Sequence, residues 1–324
     1  MNVFNGMTLT TTARLFDVRT TQSTHDLIYV NTHFFMNAQE ALPPRVSERG
    51  ARYHPRNIAY RAPAEHRAIA HLLANPELVV TGFGALALYG LPFLCDTADT
   101  VLTGPCVARK KLATLHSPGL TRSDPPEVWQ VRYRGARLLA VPPEIAVFQA
   151  LALVKRGEVA WPTVQVPGLD PEFVRAIQLI EATRHFLHID PMKLIAASRG
   201  RLPLQWIADV LVASSAMSES PKETEMRLLA GVVARKHRLR LMEQCVLTNE
   251  NGTAITRFDL AFPDLKIGLM YDGAQHWEHE RRNKDTEINL ESAVLGWRVL
   301  RFSSGTLGAF VSILDRILAL ESED

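Results

Sequence analysis

Cysteine is scarce in this 324-residue chain, which contains only Cys95, Cys106 and Cys245 and no CxxC pair. An odd number of cysteines, without paired histidine spacing, argues against a disulfide framework and against a zinc site. No apolar run is long enough to span a membrane, and the N-terminus lacks a basic segment followed by a long apolar one. These absences predict a soluble, non-secreted protein of the reducing cytoplasm.

Internal repeats and low-complexity segments are also lacking, and the composition, 47% hydrophobic and 22% charged, is that of a globular protein. The length allows two domains, each with its own core. The net charge of +2 is unevenly distributed, because the part from residue 219 onward carries −3 and the part before it +5. A basic excess is weak support for a polyanionic partner, and an acidic C-terminal part fits either metal-binding carboxylates or a solvated surface.

The N-terminal part divides into an arm and a mixed domain. Residues 1–60 show no sustained period, so we predict a loosely structured arm with one strand near 26–29; its proline-containing stretch, 41–55, is included in that arm. Residues 61–213 predict a helical/mixed domain, with amphipathic helices at 64–75 and 84–89 and an apolar helix starting at Pro142-Pro143. Three short strands, at 100–102, 128–133 and 137–140, and two or three further helices complete it.

The polar stretch 214–220 is the best candidate for a domain boundary, and the pattern changes after it. We predict a helix at 221–233, strands at 257–262 and 267–271, a helix at 281–295, a strand at 297–302 and a closing helix at 307–320. This order is that of a small α/β unit over residues 219–324. The predicted fold class for the chain is therefore α/β (α+β), with an N-terminal mixed helical domain followed by a C-terminal α/β domain.

Acidic side chains accompany the two strands of the predicted hairpin. Asp259 stands near the end of the first strand, and Asp272 follows Met270 by two residues on the next strand, so that these two share a face. Glu223 can project from the preceding helix, and His276 follows the second strand. Hydrolysis of a phosphodiester with a magnesium-type ion requires hard oxygen ligands that converge from several elements. We therefore expect Asp259 and Asp272 to hold Mg²⁺ or Mn²⁺.

At these residues the chain resembles the uncharacterised relatives of the very-short-patch repair (Vsr-like) endonucleases, within the PD-(D/E)XK superfamily. The resemblance covers about a third of the chain and rests on the order and spacing of short motifs: Ser220-Pro221, Glu223-Thr224, Arg227, Arg257-Phe258-Asp259-Leu260, Pro263, Tyr271-Asp272-Gly273, His276, Asp285 and Gly296-Trp297-Arg298-Val299-Leu300-Arg301. It implies a restriction-endonuclease-like fold and a catalytic pocket of four residues, Glu223, Asp259, Asp272 and His276.

The chain departs from that family at two positions. Met270 stands where the family has an acidic residue, and a thioether is a poor ligand for magnesium. The arginine that the family carries in the helix after Asp285 is also absent. Either Asp272 replaces the missing ligand or the metal site is lost.

Other interpretations of the same residues are purely structural. Asp259 and Asp272 can be a strand-end cap and a turn residue, and Glu223 can form a surface ion pair with Arg227, four residues on. His276 with Trp277 can form an aromatic ledge. Met270 is better explained as a core residue.

Two basic clusters are candidates for contacts with nucleic-acid phosphates: Arg235, Lys236 and Arg238, after the first helix of the C-terminal domain, and Arg281 with Arg282, at the start of a later helix. A solvated helix end, where cations offset the helix dipole, explains the first cluster equally well.

Residues 66–160 resemble more loosely the AbiEi-like antitoxin region of abortive-infection toxin–antitoxin systems. The matching pieces are Val79-Val80-Thr81, Ala85-Leu86-Ala87-Leu88, Tyr89-Gly90-Leu91-Pro92 and Val141-Pro142-Pro143-Glu144. Residues 1–60 contain no helix-turn-helix pattern of the kind that such antitoxins carry. Arg132, Arg134 and Arg137 can contact a nucleic-acid backbone or protect an exposed strand edge.

These observations lead to one hypothesis and two alternatives. The first is a metal-dependent endonuclease-like protein that acts on DNA in repair or phage defence, with a toxin- or antitoxin-type protein as a possible partner. The second is a catalytically degenerate pseudonuclease that serves as a nucleic-acid-binding or antitoxin-like regulatory module. The third is a structural α/β protein without a polyanionic partner. Oligomeric state is not predicted.

Overall fold

A computed structural model of the chain describes residues 3–21, 25–273 and 279–321, and it describes their side chains except those of 279–285 and 320–321. Contacts divide the chain into two units. The first contains Met1–Pro162 and Arg175–Ser214, and the second contains Thr163–Val174 and Ser215–Asp324. From Ser215, the second residue of the polar stretch 214–220, the rest of the chain belongs to the second unit. Residues 163–174, which the sequence analysis assigned to the mixed domain, belong to the second unit.

The first unit is built on a mixed five-stranded sheet. Its strands in chain order are β4 (Val79–Thr81), β5 (Val101–Gly104), β6 (Gly119–Arg122), β7 (Trp129–Tyr133) and β8 (Ala136–Ala140). They lie in the order β6-β5-β4-β8-β7, in which β4 pairs in parallel with β8 and β5 pairs in parallel with β6. Strands β5, β7 and β8 were predicted from the sequence to within two residues at either end, whereas β4 and β6 were missed.

A second, three-stranded sheet is formed within the predicted N-terminal arm. It contains β1 (Phe16–Asp17), β2 (Leu27–Tyr29) and β3 (Phe34–Asn37), in the antiparallel order β1-β3-β2. The strand expected near 26–29 is β2. The prediction of a loose stretch at 41–55 is wrong, because helix α1 occupies Pro44–Ala51. Pro44 is its first residue, a position where the missing N–H costs no helical hydrogen bond.

Helices complete the first unit. Those that follow α1 in chain order are α2 (Ala64–Ala74), α3 (Gly82–Leu88), α4 (Pro143–Lys155), α5 (Pro171–Leu187), α6 (Pro191–Ser198) and α7 (Leu204–Ala213). Helix α5 begins in the segment that belongs to the second unit and continues into the first. The predicted helix at Pro142-Pro143 and the further helices up to residue 213 are confirmed.

The cations around β7 do not lie along an open strand edge. The backbone N–H of Arg132 donates to the carbonyl of Met7 at 2.9 Å, and the carbonyl of Arg132 accepts from the N–H of Leu9 at 2.9 Å. Thr8 and Arg132 form a parallel bridge. The N-terminal segment therefore covers this edge, and the interpretation of an exposed edge protected by cations is wrong.

The second unit is a four-stranded sheet with helices. Its strands are β9 (Met242–Thr248), β10 (Ala254–Phe262), β11 (Ile267–Tyr271) and β12 (Arg298–Phe302), in the order β12-β11-β10-β9. The β11–β12 pair is parallel and the other pairs are antiparallel. Helices α8 (Pro221–His237), α9 (His279–Val294) and α10 (Phe310–Glu321) follow the predicted order. The sequence analysis missed β9.

Apolar side chains cover both faces of this sheet. Leu269 and Leu300 pack in one cluster with Leu229 of α8 and Leu314 of α10. Met270, one residue after Leu269, belongs to a second cluster, as do Val299 and Trp297. Because successive strand residues point to opposite faces, the two clusters lie on opposite sides of the sheet.

The chain is thus an α/β protein, as predicted. Among the described residues, no helix combines the length and the apolar character needed to cross a lipid bilayer.

Candidate active site

Glu223 lies in the first turn of α8 and takes part in a helix cap. The Ser220 hydroxyl oxygen accepts from the N–H of Glu223 at 3.2 Å. In return, the Glu223 carboxylate accepts from the Ser220 hydroxyl at 2.9 Å and from the N–H of Glu219 at 2.9 Å. This is a variant of the S-x-x-E capping box, which satisfies N–H groups that a helix start leaves without partners. The cap holds the Glu223 carboxylate at the N-terminal end of α8.

Asp259 is positioned by an interruption in the alternation of β10. Phe258 and Leu260 are two residues apart, yet they belong to clusters on opposite faces of the sheet. The paired residues of β10 and β11 end at Leu260 and Leu269. Just beyond that point, the Asp259 carboxylate accepts a hydrogen bond of 2.7 Å from the N–H of Tyr271. Asp259, which lies within β10, therefore caps the end of the neighbouring strand β11. A strand-end cap is one of the structural roles that the sequence allows for it.

Asp272 follows β11 and is held by β12. Its backbone N–H donates to the carbonyl of Phe302 at 2.7 Å, which continues the parallel ladder. Its carboxylate accepts from the guanidinium of Arg301 at 2.9 Å, and the two side chains are 38% and 21% exposed. A cation of the protein itself thus already compensates part of the charge of Asp272.

Met270 is a core residue. It is partly buried and packs in the cluster formed by Leu247, Phe258 and Ala261, in which Trp297 stacks on Phe258 with ring centroids 5.2 Å apart. The structure gives this thioether an apolar environment, in agreement with its interpretation as a core residue.

Burial and mutual repulsion act on the carboxylates around Asp259. Burial, above all, raises the pKa of Asp259, and the charges of Glu219 and Asp272 raise it further. The hydrogen bond from Tyr271 and the charge of Arg257 oppose this rise. Burial likewise raises the pKa of Glu223, to which the charge of Asp259 contributes. Asp259 therefore lies within electrostatic range of both Glu223 and Asp272, and the three carboxylates come from three separate elements.

The chemistry of this cluster is that of hard oxygen donors. Within the described parts of the chain, no three His, Cys, Asp or Glu side chains converge closely enough to form a ready metal-binding group. His276 lies outside the described residues, so its predicted place in the pocket is not covered. The structure brings Glu223, Asp259 and Asp272 into one region, and it adds Arg301 as a neighbour of Asp272.

The first basic cluster lies at the C-terminal end of α8. Arg235 and Arg238 are exposed, and Arg238 adopts the left-handed conformation (φ 56°) that ends the helix. The ammonium group of Lys236 is paired with Asp315 of α10 at 2.7 Å, and the same carboxylate contacts His237 at 2.8 Å. These two partners hold the pKa of Asp315 below its usual range. Arg281 and Arg282 lie in the first turn of α9, and their side chains are outside the described part.

Three features of this region were not predicted from the sequence. Arg301 was recognised only as part of a motif, although the parallel pairing places it directly beside Met270. Glu225 is fully buried and is bonded by the Lys222 ammonium at 2.8 and 2.7 Å, whereas the run Lys222-Glu223-Thr224-Glu225 has the composition of a solvated helix face. The capping box of Ser220 and Glu223 was readable from the sequence, since its spacing is a known helix-start signal.

Comparison of the chain with protein-family models, with curated proteins and with solved structures finds no match.

Proposed function

We propose that the second unit is a metal-dependent, endonuclease-like domain that acts on DNA phosphodiesters, in repair or in phage defence. One observation carries the proposal. Three carboxylates come from α8, β10 and the end of β11, that of Asp259 is within electrostatic range of the other two, and the pKa values of Glu223 and Asp259 are raised. Burying like charges next to each other reduces stability unless a proton or a cation is bound there, so a cluster of this kind is a candidate functional site.

The donor set fits a hard divalent ion. Magnesium commonly binds through one or two carboxylates together with water and substrate phosphate, so it does not need a complete cage of protein ligands. Asp259 and Asp272 would hold the ion, and Glu223 would orient water near it. Such an ion, when bound, offsets negative charge on the phosphate and lowers the pKa of bound water. His276 is proposed as a phosphate contact or a proton carrier.

The exposed cations at the end of α8 are proposed as phosphate contacts. Arg235 and Arg238 are exposed, and Lys236 is the third member of the cluster, although its charge is shared with Asp315. Contacts of this kind position a duplex without reading its sequence. Arg281 and Arg282 are proposed to assist them from the start of α9.

A second candidate function is that of a degenerate pseudonuclease, which would bind nucleic acid or regulate a partner as an antitoxin-like module. Two observations favour it. Met270 packs among apolar side chains where the resembled family carries an acidic ligand, and Arg301 compensates Asp272. Either feature reduces the affinity of the carboxylates for a divalent ion.

A plasmid-nicking assay with Mg²⁺ and with Mn²⁺ separates the two candidates. The endonuclease proposal expects cleavage by the wild-type protein, loss of cleavage in Asp259→Ala, and retained cleavage in Asp264→Ala. Asp264 is a suitable control because it is exposed, lies near Asp259 in the sequence and pairs with Arg240. Cleavage that arises only in Met270→Glu supports the degenerate site. If neither the wild-type protein nor Met270→Glu cleaves the plasmid, the endonuclease proposal is contradicted.

We also propose that the protein works in the cytoplasm. Cys95 is buried, Cys106 is exposed and Cys245 is half-buried, and all three are free thiols. Free thiols in this number are typical of proteins from reducing compartments. Cell fractionation combined with a protease-protection assay, on cells that express the tagged chain, checks this assignment.

A further inference from the structure

The first unit contains a large cavity that the proposed function does not use. Its volume is about 870 Å³, and its lining comes entirely from residues of the first unit. Small-molecule sites in proteins usually have volumes of about 300–1,000 Å³. The cavity is therefore large enough for a ligand of nucleotide size.

One wall of the cavity is a face of the five-stranded sheet. Val101 and Thr103 of β5 stand opposite Gly119 and Thr121 of β6 in the parallel pairing, and all four residues line the cavity. Residues two apart on a strand share a face, so the pairing makes a continuous surface of these four. The hydroxyl of Thr103 donates to the carbonyl of Thr121 at 2.9 Å, which fixes the two strands at this point.

Helix α4 supplies a second wall. Phe148, Gln149, Ala152 and Leu153 line the cavity at the spacing of one helix face, and Arg156, the residue that caps the end of the helix, also lines it. The side chain of Gln149 is fixed, because its oxygen accepts from the N–H of Gly82 at 2.9 Å. This wall presents an aromatic ring and aliphatic groups toward the sheet, which suits the apolar part of a ligand.

The charges of the lining are predominantly positive. Five cations line the cavity, namely Arg56, Lys110, Lys111, Arg156 and Arg201, against three carboxylates, those of Asp99, Asp124 and Glu158. Two of the carboxylates are already paired within the lining: Asp99 with Arg56, and Glu158 with Arg156. Three cations, those of Lys110, Lys111 and Arg201, thus share the lining with a single further carboxylate, that of Asp124. A cavity with this excess attracts an anion that carries more than one negative charge.

Hydroxyl groups add hydrogen-bonding capacity. Thr81, Thr121 and Ser123 line the cavity, as does Thr97, whose buried hydroxyl has no hydrogen-bond partner among the described residues. Buried polar atoms without partners are uncommon in folded proteins, and a bound ligand is one way to satisfy them.

We propose that this cavity binds a small organic phosphate of nucleotide size, with its phosphate groups at Lys110, Lys111 and Arg201 and its apolar part against Phe148 and Leu153. The site is independent of the carboxylate cluster in the second unit, because it shares no residue with it. Arg201 is well placed for this role, since its guanidinium lies 5.2 Å from the centroid of the Phe148 ring and so links the cationic and aromatic parts of the lining.

The test is calorimetric titration of the full chain with ATP, AMP and glucose 6-phosphate, in the presence of EDTA. The chelator removes divalent ions, so a metal site in the second unit cannot contribute to the signal. We expect saturable binding of ATP or AMP and clearly weaker binding of adenosine. The double variant Lys110→Ala/Lys111→Ala should weaken binding by about tenfold or more, because it removes two cations that can form charge-assisted hydrogen bonds with phosphate.

Arg109→Ala is the matched control. Arg109 is exposed and precedes the two lysines, but it is not part of the lining, so this variant should bind within about twofold of the wild type. Both lysines are exposed, and their replacement leaves the sheet and α4 unchanged. Three results would overturn the proposal: no binding of ATP or AMP at about 1 mM, a concentration that detects even weak sites; equal binding by the double lysine variant; or equal affinity for adenosine and ATP.

Discussion

Asp259 accepts a hydrogen bond of 2.7 Å from the backbone N–H of Tyr271, so that one side chain continues the ladder where β10 and β11 stop pairing. The N–H of the following residue, Asp272, points the other way and donates to Phe302 of β12. The end of β11 is therefore held from both sides, by the carboxylate of Asp259 and by the carbonyl of Phe302.

The hydrogen bond from Tyr271 can be tested with two variants that both remove the charge of Asp259. Asp259→Asn keeps an oxygen that can accept the bond, whereas Asp259→Ala leaves the N–H without this partner. We expect the asparagine variant to be more stable by about 1 kcal/mol. Urea unfolding followed by circular dichroism measures the difference. An alanine variant of equal or greater stability would show that the bond does not stabilise the strand end.

The raised pKa of Glu223 predicts a pH-dependent gain in stability for Glu223→Gln. A carboxyl group whose pKa is higher in the folded state is harder to ionise there, so its ionisation reduces stability above the raised pKa. This penalty disappears as the pH falls below the ordinary value of 4.5. The variant should therefore melt at a higher temperature than the wild type at neutral pH, and the difference should shrink toward acidic pH. Glutamine keeps the capping interaction.

Thermal melting between about pH 4 and 8 measures this effect, since the range begins below the ordinary pKa of a glutamate and extends in the direction in which burial shifts the pKa of Glu223. Glu250→Gln is the matched control, because Glu250 is exposed and lies in the loop between β9 and β10. We expect it to leave the melting temperature nearly unchanged throughout. A Glu223→Gln variant that becomes less stable relative to the wild type as the pH rises would contradict the assignment of a repulsive, buried carboxylate.

Gly268 is required by the ring of Phe258. A Cβ at position 268 would lie 2.5 Å from that ring, which is closer than real contacts allow. Gly268→Ala should therefore destabilise the second unit by about 1–3 kcal/mol, the usual cost of overpacking. Gly308→Ala is the control, because a Cβ there meets no atom within 4 Å. Chemical denaturation compares the two, and equal stabilities would contradict the packing described for this face of the sheet.

DNA binding should depend unequally on the cations at the end of α8. Arg235→Ala/Arg238→Ala should weaken binding and reduce the slope of log affinity against log salt by about 1–2, since each cation that binds a phosphate contributes about 1 to that slope. Lys236→Ala should have a smaller effect, because Asp315 already compensates Lys236. Asp315→Asn should strengthen binding. Fluorescence anisotropy at several salt concentrations measures these slopes, and an unchanged slope in the double arginine variant would contradict the assignment.

Local patterns in the sequence were sufficient for most elements of the second unit. Apolar residues at helical spacing identified α8 and α10, and β-branched and aromatic residues identified β10 and β11. Strand β9 was missed because Met242–Thr248 does not alternate between polar and apolar residues. It pairs with β10 through an irregular register between Ala254 and Thr256, and it lies at the edge of the sheet, where no second partner imposes a pattern.

The candidate site was only partly predictable. Asp259 and Asp272 were identified because two carboxylates across a hairpin supply hard oxygen ligands of the kind that a magnesium-type ion requires. Arg301 could not be assigned to Asp272, because the whole of α9 separates β11 from β12 in the sequence. Their parallel pairing therefore leaves no local signal. The cavity of the first unit was missed for a similar reason, since its lining comes from short stretches spread over more than half of that unit. Proximity between distant segments is a property of tertiary packing, which local periodicity does not record.

Divalent metal binding tests the central proposal most directly. Calorimetric titration with Mn²⁺ at roughly pH 8, where protons compete little with a divalent ion, should show saturable binding by the wild-type protein. Binding should weaken by about tenfold or more in Asp259→Asn and in Asp272→Asn, as expected when a charged ligand is removed, but not in Asp264→Asn. A wild-type protein that binds no Mn²⁺, or an Asp259→Asn variant that binds it equally well, would contradict the account.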